Sequence, residues 1–204
     1  MKQFIKLAFL LILLPTTLHA QSLRGGIVAG YDYNMPQHYF DNKSGYHIGL
    51  QGDINIYKGL YAQAALMLEG RSYGGNIFST YGASWQSKPY YLSIPVHVGY
   101  KFAVADNVKL NLSVGPKFDI GLFGKHKGVI NIPTNASVQT DYHGNVFSDN
   151  YLNRFDVAIG AKVGVELFDH YQVSIGYNWG LKNIVKDGPD TKNRQLQVTL
   201  GYMF

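Results

Sequence analysis

The chain has 204 residues, with 18 Lys+Arg against 13 Asp+Glu, seven His and no Cys. That length suits one domain or two small ones, and 46% apolar residues exclude a disordered chain. The missing cysteine excludes disulfides, thiolate catalysis and cysteine-held zinc or iron–sulfur sites.

Residues 1–20 read as a secretory signal peptide. Lys2 and Lys6 give a positive start, Leu7 to Leu14 an apolar core, Pro15 a break, and Ala20 the expected cleavage point. The core is too short for a membrane helix, which needs about 20 apolar residues. Its removal leaves 16 basic and 13 acidic side chains in a single domain over 21–204. The basic residues are scattered, with no run of lysines and arginines, so no nucleic-acid partner is expected.

From there the chain alternates with a period of two. In 108–122 the even positions are Val, Leu, Leu, Val, Pro, Phe, Ile and Leu, and the odd positions are polar, charged or glycine. Residues two apart share one face of a strand. The same reading predicts eight strands, at 23–32, 44–56, 60–71, 90–102, 108–122, 154–167, 171–181 and 194–204. Short connections at 57–59, 103–107 and 168–170 alternate with long ones at 33–43, 72–89, 123–153 and 182–193. The expected fold is all-β: an eight-stranded antiparallel up-and-down barrel, with strands long enough to cross a bilayer, for which about 9–11 residues suffice. Pro95 removes a ladder donor and is expected to mark a bulge or kink.

A soluble lipocalin-like barrel would turn the apolar face inward, and a membrane barrel would turn it out to lipid. Twelve of the fifteen strand glycines lie on the polar face, where space is needed if side chains converge in a narrow lumen. On the apolar face, Tyr31, Tyr46, Tyr90, Tyr177 and Trp179 fall at the long-loop end. Tyr100, Phe102, Tyr171, Tyr202 and Phe204 fall at the short-turn end. Two aromatic girdles around an aliphatic band favour the transmembrane barrel.

The final strand, with Leu196, Val198, Leu200, Tyr202 and Phe204, resembles the C-terminal sorting signal of bacterial outer-membrane barrels. With it, the segments YYLSIPVHVGYKF (90–102), LNLSVGPKFDIGLFG (110–124) and FDVAIGAKVGVEL (155–167) resemble the outer membrane protein β-barrel domain family, small PorT-like and OmpA/OmpX-like barrels. The resemblance implies a Gram-negative outer-membrane location, contact with outer-membrane lipid, recognition by the barrel-assembly machinery through the strand ending at Phe204, and a monomer. It implies no ligand.

An eight-stranded barrel is just wide enough for side chains to fill it. By parity, Glu69, Arg71, Lys117, Asp119, Arg154 and Asp156 point inward near the long-loop end, as an expected charge network that plugs the lumen. Arg24, Asp53, Lys101, Lys109, Lys162 and Glu166 do so near the short turns. The alternative use of such groups is a narrow path for ions or small solutes.

Neither a G-x-S-x-G elbow nor an H-E-x-x-H helix motif occurs. His47 and His97 are read as inward; His38, His126 and His143 lie in long loops with Ser72, Ser79, Ser84 and Ser87. A lipid-modifying enzyme needs one of these serines beside a histidine. His126, His143, Asp141 and Asp149 have no metal-ligand spacing, and no cofactor is expected. The long loops are the expected working surface, open to an extracellular or envelope protein partner. In the third loop, 129–140 carries β-forming residues expected to extend the fifth and sixth strands; the second loop carries Tyr73, Phe78, Tyr81 and Trp85 among glycines. The expected role is therefore structural or interactive, without catalysis.

Overall fold

A computed structural model describes residues 23–37, 40–77, 83–132, 136–140, 145–147, 151–186 and 190–204. The signal-peptide reading, and the expectations placed on His38, Phe78, Ser79, Tyr81, Asp141, His143 and Asp149, lie outside the described residues.

Ten strands follow in chain order: β1 (Leu23–Asn34), β2 (Lys43–Tyr57), β3 (Leu60–Gly70), β4 (Tyr73–Ile77), β5 (Ala83–Ala105), β6 (Val108–Ile132), β7 (Ala136–Thr140), β8 (Phe155–Leu167), β9 (Tyr171–Asn183) and β10 (Lys192–Met203). Eight of them close an antiparallel ring in the order β5-β3-β2-β1-β10-β9-β8-β6, with β6 hydrogen-bonded back to β5. Closure satisfies every edge, the condition for backbone to sit in lipid. The short turns are tight. Lys58 and Gly59 both have positive φ (40° and 90°), as a two-residue hairpin of matching twist demands.

The polar face is inside. Burial alternates along β3 from Tyr61 to Glu69, with the outward Leu66 and Leu68 exposed. Exposed Ile27, Leu50, Val98, Val114, Ile175 and Leu200 belong to the same outward band. Such a surface would be untenable in water and is the surface a bilayer covers. All ten girdle aromatics face outward from the ring, and several touch: Tyr177–Trp179 centroids are 4.7 Å apart, Tyr100–Phe102 4.7 Å and Tyr171–Tyr202 5.4 Å. Inward glycines make the room expected of them. A Cβ on Gly30 would lie 2.5 Å from the His47 ring and 2.1 Å from the Val198 carbonyl oxygen.

Three expectations need correction. The segment 72–89 is not simply a loop, because β4 and the first residues of β5 pair there, from Tyr73↔Ser87 to Ile77↔Ala83. The third loop's β-forming centre extends β6 to Ile132 and forms β7, whereas β8 starts only at Phe155; the strand that lengthens alongside β6 is β5. Pro95 marks no bulge. Register holds through it, from Pro95↔Lys117 to Val98↔Val114, and the shifts fall at Tyr90/Tyr91 and Ala103/Ala105. The two prolines interrupt different ladders and shift neither: β3–β5 lapses between Ala64↔Val96 and Met67↔Ser93, at Pro95, and β5–β6 lapses between Pro95↔Lys117 and Val98↔Val114, where Pro116 stands opposite Val96. β5 and β6 run 23 and 25 residues, so together with β4 and β7 they rise as a sheet above the upper girdle.

Candidate functional site

Just below the outer mouth, Arg71 is the hub of a buried cluster. Its Nε donates to Glu69 at 2.5 Å, one terminal nitrogen to Asp156 at 3.3 Å, and the other to Asp119. Lys117 donates to Glu69 at 2.6 Å and to Gln195 Oε1 at 2.7 Å, and the Gln195 amide donates back to Glu69 at 2.5 Å. Ser93 Oγ lies 2.8 Å from Glu69 and 2.5 Å from Asp119. The guanidinium carbon lies 4.3 Å from the Tyr91 ring centroid. Glu69, Arg71, Lys117, Asp119 and Asp156 are each at most 3% exposed. Five charges in so small a space are tolerable only because each has partners of opposite sign or hydrogen-bond donors.

Arg154, grouped with these five by parity, stands apart from them. It precedes β8, is exposed, and directs its guanidinium over the Phe147 ring at 5.7 Å. Alternation assigns a face only within a strand, and Arg154 lies one residue outside it. The cluster is therefore two cations against three carboxylates.

A second charged layer closes the short-turn end. Glu166 accepts from Arg24 at 2.6 Å, Lys101 at 2.9 Å and Gln172 at 2.9 Å. Asp53 accepts from Lys101 at 2.9 Å and Gln63 at 2.8 Å, and Lys162 donates to the Gln63 carbonyl. At the rim Lys109 pairs with Asp169, whose carboxyl that hydrogen bond holds below its ordinary range. Between the layers His47 bridges Asp32 (2.8 Å) and Thr199 (3.0 Å). The space left near Val28, Met67, Pro95 and His97 is about 40 Å³, enough for a water or two.

Above the Arg71 cluster, Tyr73, Tyr91, Val146, Phe147, Leu152 and Ile184 form an apolar cap, drawn from four chain segments. Burial pushes the Tyr73 hydroxyl up to about 12, so it stays a neutral phenol. On the cap's flank is a recess of about 310 Å³, lined by Phe40, Trp85, Ser87, His126, Tyr151, Leu152 and Val185. Phe40 meets Trp85 edge-on at 4.8 Å; His126 is stacked between Trp85 (5.8 Å) and Tyr151 (4.6 Å). At its polar edge Ser87 Oγ and His126 Nδ1 are 2.6 Å apart. That volume is at the small end of ligand pockets.

Sequence parity found the five charged residues but not their neutral partners Ser93, Gln195, Gln63 and Gln172. The same parity puts all four inside, and buried amides beside charges were the available signal. The Ser87–His126 contact joins residues 39 apart and had no local signal. Among the described residues, no three His, Asp or Glu side chains are grouped to hold a metal.

Residues 19–186 match the outer membrane protein beta-barrel domain. The chain belongs to that family. As an outer membrane protein β-barrel it resides in the bacterial outer membrane. It is similar to the attachment invasion locus protein Ail of Yersinia pestis, at 15% identity and TM-score 0.43, over 89% of this chain and 98% of that one. It is likewise similar to Neisserial surface protein A, NspA (11%, 0.47, 91% and 100%), and to OprG of Pseudomonas aeruginosa (8%, 0.46, 89% and 94%). No curated protein matches the barrel's sequence.

Proposed function

We propose that the protein is a closed, non-conducting surface barrel that works through its outer end, where the aromatic recess beside the cap receives a partner. The observation that carries this reading is the lumen itself, filled at two levels by ion-paired side chains and covered by the apolar cap. A scaffold so filled holds its loops rigidly and leaves them as the place for contact. Phe40, Trp85 and Tyr151 supply large, stiff surfaces suited to binding. In the same reading, residues 1–20 direct export, the strand ending at Phe204 is offered to the barrel-assembly machinery, and the protein acts as a monomer without catalysis.

Reconstitution in planar bilayers tests the closed lumen. Silent membranes are expected at any ordinary voltage. Stepwise conductance that changes in Lys117→Ala or Asp119→Asn would replace this reading with a narrow channel.

A second reading rests on one contact, Ser87 Oγ to His126 Nδ1 at 2.6 Å, the spacing of a nucleophile and its base. It makes the recess an acyl-hydrolase site. Ester turnover by the purified barrel, abolished in Ser87→Ala, would favour it; an inert protein removes it.

A further inference from the structure

The void of about 40 Å³ between the two charged layers has walls of two kinds. Val28, Ala65 and Met67 pack together as its apolar side. On the polar side most donors are already spent: the Gln51 amide on Gln172 at 2.9 Å, the Gln63 amide on Asp53 at 2.8 Å, and the Gln197 amide on Asp32 at 2.8 Å. Two lining groups differ. His97 is 7% exposed, and its Nε2 meets no hydrogen-bond partner among the described residues. Lys162 donates to the Gln63 carbonyl and to no carboxylate.

That second fact sets Lys162 apart from the other cations of the lumen. Arg24 meets Glu166 at 2.6 Å, Arg71 meets Glu69 at 2.5 Å, Lys101 meets Asp53 and Glu166 at 2.9 Å each, Lys117 meets Glu69 at 2.6 Å, and Lys109 pairs with Asp169. Within the inner layer Arg24, Lys101 and Lys162 share only Asp53 and Glu166, so one positive charge is left over. The outer layer's surplus carboxylate does not answer it. Asp156 stands six residues from Lys162 on β8, about 20 Å along the strand, and is bound to Arg71. Asp32 is engaged by His47 and Gln197. An ammonium group inside a barrel ringed by lipid, with one neutral acceptor and no counter-charge, is costly. A water would satisfy His97 and leave that charge unanswered.

We infer that this void is a binding site for one halide-sized anion, chloride in a natural medium, held by Lys162 Nζ and by His97 in the tautomer that carries its proton on Nε2. A space of one or two waters admits a monatomic anion and leaves no room for an organic one. The anion accepts a charge-assisted hydrogen bond from the lysine and a second bond from the imidazole, and its weakly hydrated side rests on Val28, Ala65 and Met67. It completes the inner layer's charge balance. The site does not depend on the recess or on any partner received there.

The test folds the full barrel in neutral detergent micelles and follows urea unfolding while sodium gluconate is replaced, in millimolar steps at constant total salt, by sodium chloride or bromide. Gluconate is too large for the void. Chloride and bromide are expected to raise the wild-type midpoint saturably. Lys162→Met is expected to weaken the apparent anion affinity on the order of tenfold or more, and Lys58→Gln, in the exposed turn, to leave it unchanged. A wild-type midpoint indifferent to the replacement overturns the inference, as does a chloride response that Lys162→Met retains. Crystals of wild type grown in bromide read the position directly. One anomalous peak between Lys162 and His97 is expected, and density there without anomalous signal, which is water, overturns the inference. Should Lys162→Met fail to fold, the wild-type titration and the anomalous map decide alone.

Discussion

The two charged layers of the lumen are built from the same kinds of side chain but face different surroundings. The outer one lies beneath the apolar cap, and its hub, Arg71, is 2% exposed. The inner one grades into solvent, from Glu166 at 1% through Arg24 to Lys109, whose side chain is 35% exposed. The outer layer puts three carboxylates on one guanidinium, whereas the inner layer divides Asp53 and Glu166 among Lys101, Arg24 and the Gln63 and Gln172 amides. Concentrating the partners in one residue makes a layer rigid and brittle; dividing them makes it tolerant. The difference teaches that a plug's strength depends less on how many ion pairs it has than on how many of them one side chain carries.

Breaking that comparison begins with Arg71→Met. Its loss leaves buried Asp156 with only the Val157 amide (2.8 Å) and buried Asp119 without its guanidinium, and is expected to destabilise the barrel by about 3–5 kcal/mol. A denaturant titration in micelles reads this as a lower midpoint; an unchanged midpoint would mean the cluster is not the outer layer's support. Between the layers, Gly30→Ala is expected to lose about 1–3 kcal/mol, since its Cβ meets the unyielding Val198 carbonyl as well as the His47 ring. Lys101→Met should lose roughly 1–2 kcal/mol, because Glu166 keeps Arg24 and Gln172 while Asp53 keeps Gln63. A loss as large as that of Arg71→Met would erase the distinction between the layers.

The smallest effect belongs to the rim. The Asp169 side chain is 63% exposed, so solvent screens its pairing with Lys109, and Asp169→Asn is expected to change stability by less than about 1 kcal/mol. The hydrogen bond from Lys109 lowers the Asp169 carboxyl from its ordinary 3.8. Its contribution is therefore complete above that value and is lost as pH falls through the lowered folded one. The wild-type minus Asp169→Asn difference should be flat from neutral pH down to about 5 and shrink below 4. A difference that grows with acid would show that the pair does not hold the carboxylate.

Much of this was legible in the sequence wherever lipid imposed its rule. Lipid demands an unbroken apolar face, so the alternation in 108–122 fixed both strand and side, and the same parity placed Glu69, Lys117 and Asp119 in the lumen. Above the girdle no such demand exists. The upper reaches of β5 and β6 carry Gln86, Lys88, Lys125 and Lys127 on their outer face, and β4 and β7 are only five residues each, so their period is faint and pairing alone makes them strands. Arg154 was misplaced for a related reason, since its parity was carried one position past the strand that gives parity meaning. Pro95 was misread because a missing donor was expected to shift the register, whereas the β3–β5 ladder skips two pairs there and resumes unshifted. The recess was not legible, because Phe40, Trp85, His126 and Tyr151 come from four segments joined only by closure of the fold.

The pairing of β1 with β10 brings Gly26 beside Met203 and Asn34 beside Gln195, the most distant strands of the described chain. Every other junction of the ring joins strands that follow one another, or nearly so, along the chain. Until β10 docks, the growing sheet is an open ribbon with two raw edges, and neither charged layer is complete, because Arg24 and Asn34 sit on β1 and Gln195 on β10, the strands that meet last. Insertion is therefore a race between one long-range zipping event and adhesion of those edges to another molecule. A slow final step and a vulnerable half-made ribbon follow directly from where this seam is placed.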